Sequence, residues 1–182
     1  MEEQQTTMNK KVNQGKIFEA QWKKSVPNYA LLYRIPDSAQ AYNRNQGLRF
    51  SPKNPFDFIL WDSQKHILYA LEMKTVGGIS ISFERDKSGC GEIHYHQIEG
   101  LNSWNKYNGI VAGFVIEFRQ IEKTVFIEIS EFNKLVETVN KKSFNINDLD
   151  KNNISYFVIP QKRAVTRYTY DIDYFLSNNN SE

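Results

Sequence analysis

The sequence predicts an α/β or α+β fold in which a mixed central β-sheet is flanked by helices. Three observations predict it. Two strand-length apolar runs, 56–62 and 66–74, flank the polar tetrapeptide Asp62-Ser63-Gln64-Lys65, which is turn chemistry. A strongly apolar run at 109–118 is followed closely by another at 123–129. Around them lie segments with helically spaced apolar residues, giving the order helix, strand, strand, strand, helix, strand, strand, helix.

Residues 1–8 read as a disordered leader to one domain spanning 9–176. A helix covers 11–24, with Ile17, Phe18 and Trp22 on one side, and stops before Pro27. Residues 29–35 form a short strand. The stretch 37–52 is polar and irregular, centred on Asn43-Arg44-Asn45-Gln46-Gly47; so long a connection inside a compact domain usually serves a function. The hairpin 56–74 follows, then an alternating strand at 79–83 and a polar loop at 84–91. A helix runs from about 93 to 107 with His96-Gln97 in its first turns. After the paired strands 109–118 and 123–129, Ser130 is expected to N-cap a helix at 131–140. A short helix at 146–151, a strand at 155–159, a basic turn and the aromatic segment 168–176 complete the domain, and 177–182 is expected to be disordered.

At 182 residues, 40% hydrophobic and 24% charged, the chain can bury a core and has the composition of a soluble globular protein. No stretch approaches the ~20 apolar residues of a membrane helix, and the acidic N-terminus is wrong for a secretory signal. The single cysteine, Cys90, cannot form an internal disulfide or by itself a zinc or iron–sulfur site. A cytoplasmic location is expected. The net charge of +2 does not argue for nucleic acid, but the distribution says more. Lys10, Lys11, Lys16, Lys23 and Lys24 flank the first helix, Arg44, Arg49 and Lys53 precede the hairpin, and Lys162, Arg163 and Arg167 come late. Composition alone would assign these to solvated faces; beside acidic metal ligands they suit a phosphodiester enzyme.

Asp57 follows Asn54-Pro55-Phe56, and Glu72-Met73-Lys74 breaks polar groups into an apolar strand. Residues two apart share a strand face, so Glu72 and Lys74 point together while Met73 faces the core. The hairpin then brings Asp57 across, and two carboxylates and an ammonium converge at one edge of a sheet. Asp57 and Glu72, with the Met73 backbone carbonyl, make an oxygen set that suits Mg²⁺, with Mn²⁺ able to substitute. Lys74 is expected to orient an attacking water and stabilise charge at phosphorus. A Glu-x-Lys pair alone could equally be an exposed ion pair worth only ~0.2–1 kcal/mol. Asp57 on the preceding strand weighs against that.

The layout resembles the PD-(D/E)xK nucleases, and five segments together resemble the RecU-type Holliday-junction resolvases. They are Asn13-Gln14-Gly15-Lys16-Ile17-Phe18-Glu19, Asn54-Pro55-Phe56-Asp57, Leu71-Glu72-Met73-Lys74-Thr75, His96-Gln97-Ile98-Glu99-Gly100-Leu101 with Gly109-Ile110-Val111, and Tyr170-Asp171-Ile172-Asp173-Tyr174. The blocks come in family order and span roughly 13–175. The resemblance implies a restriction-endonuclease-like fold and a homodimeric, Mg²⁺-dependent endonuclease. Such an enzyme binds four-way DNA junctions and nicks opposing strands symmetrically, in company with recombinase or branch-migration proteins. It carries Asp57, Glu72 and Lys74 over as the catalytic core, adds Glu19 near the metal, and gives Gln97 the positioning of substrate or water. Arg44, Arg49, Lys53, Lys16 and Thr75 are the expected DNA contacts. Three departures stand out: Gln14 replaces an arginine, 37–52 is shorter than the family's protruding stalk, and 84–91 has no family counterpart. Richness in Asn, Lys and Ile suits a phage-encoded version. The competing expectations are a same-fold nuclease acting on other DNA and a non-catalytic DNA-binding accessory protein.

Overall fold

The computed structural model describes residues 13–36, 42–43, 47–48, 53–165 and 167–179. The expected disordered leader 1–8, Arg44, Arg49 and most of 37–52 lie outside the described residues. The first helix, α1 (Gln14–Ser25), starts later than expected because Asn13 caps it, its side chain accepting the Lys16 N–H at 3.1 Å. It ends at Val26, extended ahead of Pro27. Then come β1 (Ala30–Arg34), β2 (Tyr42–Asn43), β3 (Gly47–Leu48), β4 (Phe58–Asp62), β5 (Ile67–Val76) and β6 (Ser80–Ser82). The rest is α2 (Tyr95–Trp104), β7 (Ile110–Phe118), β8 (Lys123–Glu128), α3 (Ile129–Thr138), β9 (Ser143–Asn145), α4 (Ile146–Lys151), β10 (Phe157–Ile159), β11 (Gln161–Arg163), β12 (Tyr168–Tyr170) and α5 (Ile172–Asn178).

The six-stranded sheet has the order β1-β4-β5-β7-β8-β10. β5 and β7 are parallel, from Leu68 opposite Ile110 to Val76 opposite Phe118; every other neighbouring pair is antiparallel. This is the expected mixed central sheet flanked by helices, and the parallel pair requires the long crossover that β6 and α2 supply. The β4–β5 turn follows from Asp62, whose Oδ1 accepts the N–H groups of Gln64 and Lys65 at 2.9 and 3.3 Å. His66 closes it at φ 56°.

Both faces of the sheet are buried, so β5 reads as a near-continuous apolar run rather than an alternating one. On one face Ala70, Val76, Ala112, Phe114 and Ile116 pack with Ile98 and Leu101 of α2 and Phe132 and Leu135 of α3. On the other, Tyr69, Leu71, Met73, Val111 and Val115 meet Phe18 and Trp22 of α1 and Phe175 and Leu176 of α5.

Two expectations are corrected. Ser130 is not an N-cap: α3 springs directly from the end of β8, Glu128 takes the cap position, and the Ser130 hydroxyl donates to its carboxylate at 2.9 Å. Residues 177 and 178, expected to be disordered, belong to α5, which continues through Asn178; 180–182 lie outside the described residues. No helix among the described residues is long and apolar enough to cross a membrane.

Candidate active site

The site forms where β4 parts from β5. Their pairing ends at Phe58 opposite Leu71, after which the Asp57 N–H still donates to the Leu71 carbonyl at 3.1 Å. Beyond it β5 runs on without β4, and the Met73 N–H needs another acceptor. Asp57 Oδ2 takes it at 2.9 Å. The rest of the motif holds Asp57 there. Asn54 donates its side-chain amide to the Pro36 carbonyl at 2.8 Å, and Phe56 is buried edge-on to Trp104, ring centres 5.0 Å apart. Pro55 lies so close to α2 that a Cβ on Gly100 would fall 2.6 Å from it. Only glycine lets helix and motif approach this closely.

Glu72 is 3% exposed. Its Oε1 accepts both the Gln97 amide and the Lys74 ammonium, the latter at 3.1 Å. Burial pushes its pKa up to about 8; Lys74 opposes the shift, and the Asp57 charge reinforces it. Burial also raises Asp57, while the Met73 N–H pulls it back and the Glu19 charge adds to the rise. Loss of water thus outweighs the ammonium beside Glu72. The expected convergence is present, with one correction: it sits on β5, the third strand of the order, rather than at a sheet edge. Glu72 is buried and Lys74 half-buried, so the pair is not the exposed ion pair of the competing reading.

Gln97 lies in the first turn of α2 and is itself buried; its Oε1 accepts the His94 N–H at 2.9 Å, which leaves the NH₂ for Glu72. Glu19 on α1 is paired with Arg34 of β1 at 2.9 Å. These two, with Lys16, Lys23, Leu32 and Phe58, line a groove of about 360 Å³. Lys53 is exposed, and its charge helps hold His96 below the usual histidine range, behind the larger effect of burial.

Thr75, expected as a DNA contact, lies on the other face of β5. It faces away from Glu72 and Lys74, as strand alternation requires, and its hydroxyl donates to Glu117 at 2.6 Å. Sequence reasoning missed Glu117, a buried carboxylate at the end of β7 that also accepts the Tyr170 hydroxyl at 2.7 Å. The available signal was an acidic residue in the apolar run Gly113-Phe114-Val115-Ile116-Glu117-Phe118. The closing motif is structural here: Asp171 caps α5 through the Tyr174 N–H at 2.9 Å, and Asp173 accepts the Tyr29 hydroxyl at 2.7 Å.

Among the described residues no group of three or more His, Cys, Asp or Glu side chains is placed to hold a metal; Asp57 and Glu72 make a two-carboxylate set.

A family model described as recombination protein U (RecU) matches residues 58–173. A SPbeta prophage-derived protein of Bacillus subtilis strain 168, the uncharacterized YotM, is 35% identical over 122 residues, covering 66% of this chain and 58% of that protein. The chain thus spans a little over half the length of that curated relative. Among solved structures, the fold is similar to Hjc of Archaeoglobus fulgidus, described as a Holliday junction resolvase from an archaeal hyperthermophile. The TM-score is 0.45 at 12% identity, over 75% of this chain and 88% of that one.

Proposed function

The chain belongs to the recombination protein U family, and from that membership we propose that it is a metal-dependent, structure-selective endonuclease that resolves four-way DNA junctions by nicking opposing strands symmetrically. The observation that carries this reading is the convergence on one buried strand of Asp57, Glu72 and Lys74, with Gln97 held against Glu72. Burying two like-charged carboxylates is costly unless something repays it, and a divalent cation repays it. Two carboxylates with several waters is also the donor set Mg²⁺ takes.

The residues divide the work. Asp57 and Glu72 would hold the cation. Glu72 spends Oε1 on Gln97 and Lys74, so Oε2 is its oxygen for the metal. The N–H and C=O of one residue leave the same edge of a strand. The Met73 carbonyl therefore faces the side on which Asp57 takes its N–H and would serve as a third donor. Bound Mg²⁺, or Mn²⁺ in its place, supplies Lewis-acid polarisation of the phosphate and a lowered pKa for a bound water. Lys74 orients that water and offsets charge developing at phosphorus, and Gln97 positions Glu72. Glu19 adds acidic charge next to the metal and is steadied by Arg34. Lys16 and Lys53 contact DNA backbone, as do Arg44 and Arg49 in this reading. A single nuclease domain over 9–176, a homodimer, a cytoplasmic site of action, and recombinase or branch-migration partners complete it.

The test is nicking of a labelled four-way junction and a matched linear duplex, in Mg²⁺ and in EDTA. Paired, metal-dependent nicks confined to the junction are expected. Equal cutting of both DNAs would leave a nuclease without junction selectivity, and binding without cutting would leave an accessory protein.

A further inference from the structure

We propose that Glu84, in the loop between β6 and α2, is a positioning residue for the active site. It anchors the first turn of α2 so that Gln97 presents its NH₂ to Glu72. The proposal rests on the reading of Glu72 as a catalytic metal ligand.

The chain of contacts is continuous. Glu84 Oε2 accepts the Tyr95 N–H at 2.7 Å, and its Oε1 meets His94 Nδ1 at 2.8 Å. His94 is the N-cap of α2 and Tyr95 its first residue. N–H groups there have no partner inside the helix, and a carboxylate at this end is favoured by the helix dipole. One side chain therefore fixes both residues. The His94 N–H donates in turn to Gln97 Oε1 at 2.9 Å. An amide has one accepting and one donating end. Once the oxygen is committed to His94, the nitrogen must face Glu72; turned over, it would set oxygen against a carboxylate. His96 stacks on the His94 ring at 5.5 Å, the planes 17° apart, and limits its swing.

The loop is built to hold Glu84 in place. A bridge joins Phe83 to Ile93, and the Glu84 N–H donates to the Ile93 carbonyl at 2.9 Å. At this neck a Cβ on Gly91 would lie 2.7 Å from the Phe83 carbonyl carbon, so the strands close only around glycine. Ser82 and Glu92 exchange further bonds across it, the Ser82 N–H to Glu92 Oε2 at 3.1 Å and the Glu92 N–H to Ser82 Oγ at 3.1 Å. The segment 84–91, left unexplained by any motif, is thus a brace that returns the chain beneath α2.

The experiment compares full-length wild type, Glu84→Ala and Glu84→Gln, with Gln97→Ala used to assign the Gln97 side-chain NH₂ signals in ¹⁵N-labelled protein. In wild type those signals should be shifted and slow to exchange. In Glu84→Ala they should move to free-glutamine positions in an otherwise folded spectrum. Junction nicking should lose on the order of 10- to 100-fold in kcat with KM nearly unchanged, the scale of a misplaced catalytic group. Glu84→Gln keeps an oxygen for Tyr95 and should recover most of both readouts. If Glu84→Ala does not fold, Tyr95→Pro removes the anchored N–H at a helix position that tolerates proline and should move both readouts the same way. Unmoved Gln97 signals, or moved signals with unchanged kcat, overturn the proposal. A wild type that nicks no junction overturns instead the functional reading beneath it. That result is distinct, because the Gln97 signals report on the anchor without any turnover.

Discussion

With its pKa pushed up to about 8 from an ordinary 4.5 by burial, Glu72 loses its proton less readily in the folded, metal-free protein than in the unfolded chain. The folded state binds that proton more tightly than the unfolded one. Its contribution to stability is therefore full below about 4.5 and is lost as pH rises through about 8. Glu72→Gln should remove the penalty. In EDTA at pH 8.5 the variant should melt higher than wild type, by a difference on the order of a few kcal/mol, and the gap should vanish near pH 4.5. Thermal denaturation at the two pH values checks this, and a gap that grows on acidification would refute the charge assignment. Asp57 separates chemistry from structure in another way. Asp57→Asn keeps an oxygen for the Met73 N–H and should lose nicking at little cost in stability. Asp57→Ala should lose both, stranding an amide at about 1–3 kcal/mol; urea denaturation alongside the nicking assay distinguishes them. Glu72 and Lys74 stood out because they place polar groups in an otherwise apolar strand, Asp57 because the hairpin brings it across to them, and Gln97 only through the family resemblance. Glu84 did not, since it lies in a polar loop where one more carboxylate breaks no pattern, and Glu117 showed only as an acidic residue in an apolar run, its partners Thr75 and Tyr170 being far away in sequence. Thr75 sits at odd spacing from Glu72 and Lys74, hence on the opposite face of β5.

At the scale of elements, α2 is where helix and motif are fitted to each other. Gly100→Ala would drive a methyl group into Pro55 and should cost about 1–3 kcal/mol, as overpacking does. Because Pro55 precedes Asp57 by only two residues, kcat should fall as well. An unchanged melting temperature would show that the helix can withdraw freely. The hairpin turn was readable from Asp62, whose short side chain bonds the following N–H groups. The start of α3 was not, because β8 passes into it without a loop and the serine that looked like a cap is inside the helix. β9, β11 and β12, at three residues each, are too short for any periodicity to register.

For the whole molecule, the sequence announced a mixed sheet but not its strand order. Which strand lies beside β5 is decided by the packing of two apolar faces, not by local pattern, and so a site expected at an edge lies inside the sheet. The groove between α1 and β1 carries Lys16 and Lys23 on its wall. Phosphates neutralised there release counterions, so junction affinity should fall steeply with salt. Replacing both lysines with alanine should weaken binding to all junction sequences alike and flatten the log–log salt slope by about one for each lysine that pairs with a phosphate. Fluorescence anisotropy over a salt series tests it; a slope unchanged by the double variant would remove this groove from the DNA path.

The parallel pairing of β5 with β7 has a consequence for the order in which the site is assembled. Asp57 reaches Met73 across 16 residues of a local hairpin, whereas β5 and β7 join residues 42 apart in sequence. Local closures precede distant ones in a refolding chain. Pulse-labelled exchange should accordingly find the Met73 amide protected before the β7 amides that pair with β5. The nascent molecule would then bring its two acidic groups together first, and acquire only later the helix whose amide makes their proximity tolerable.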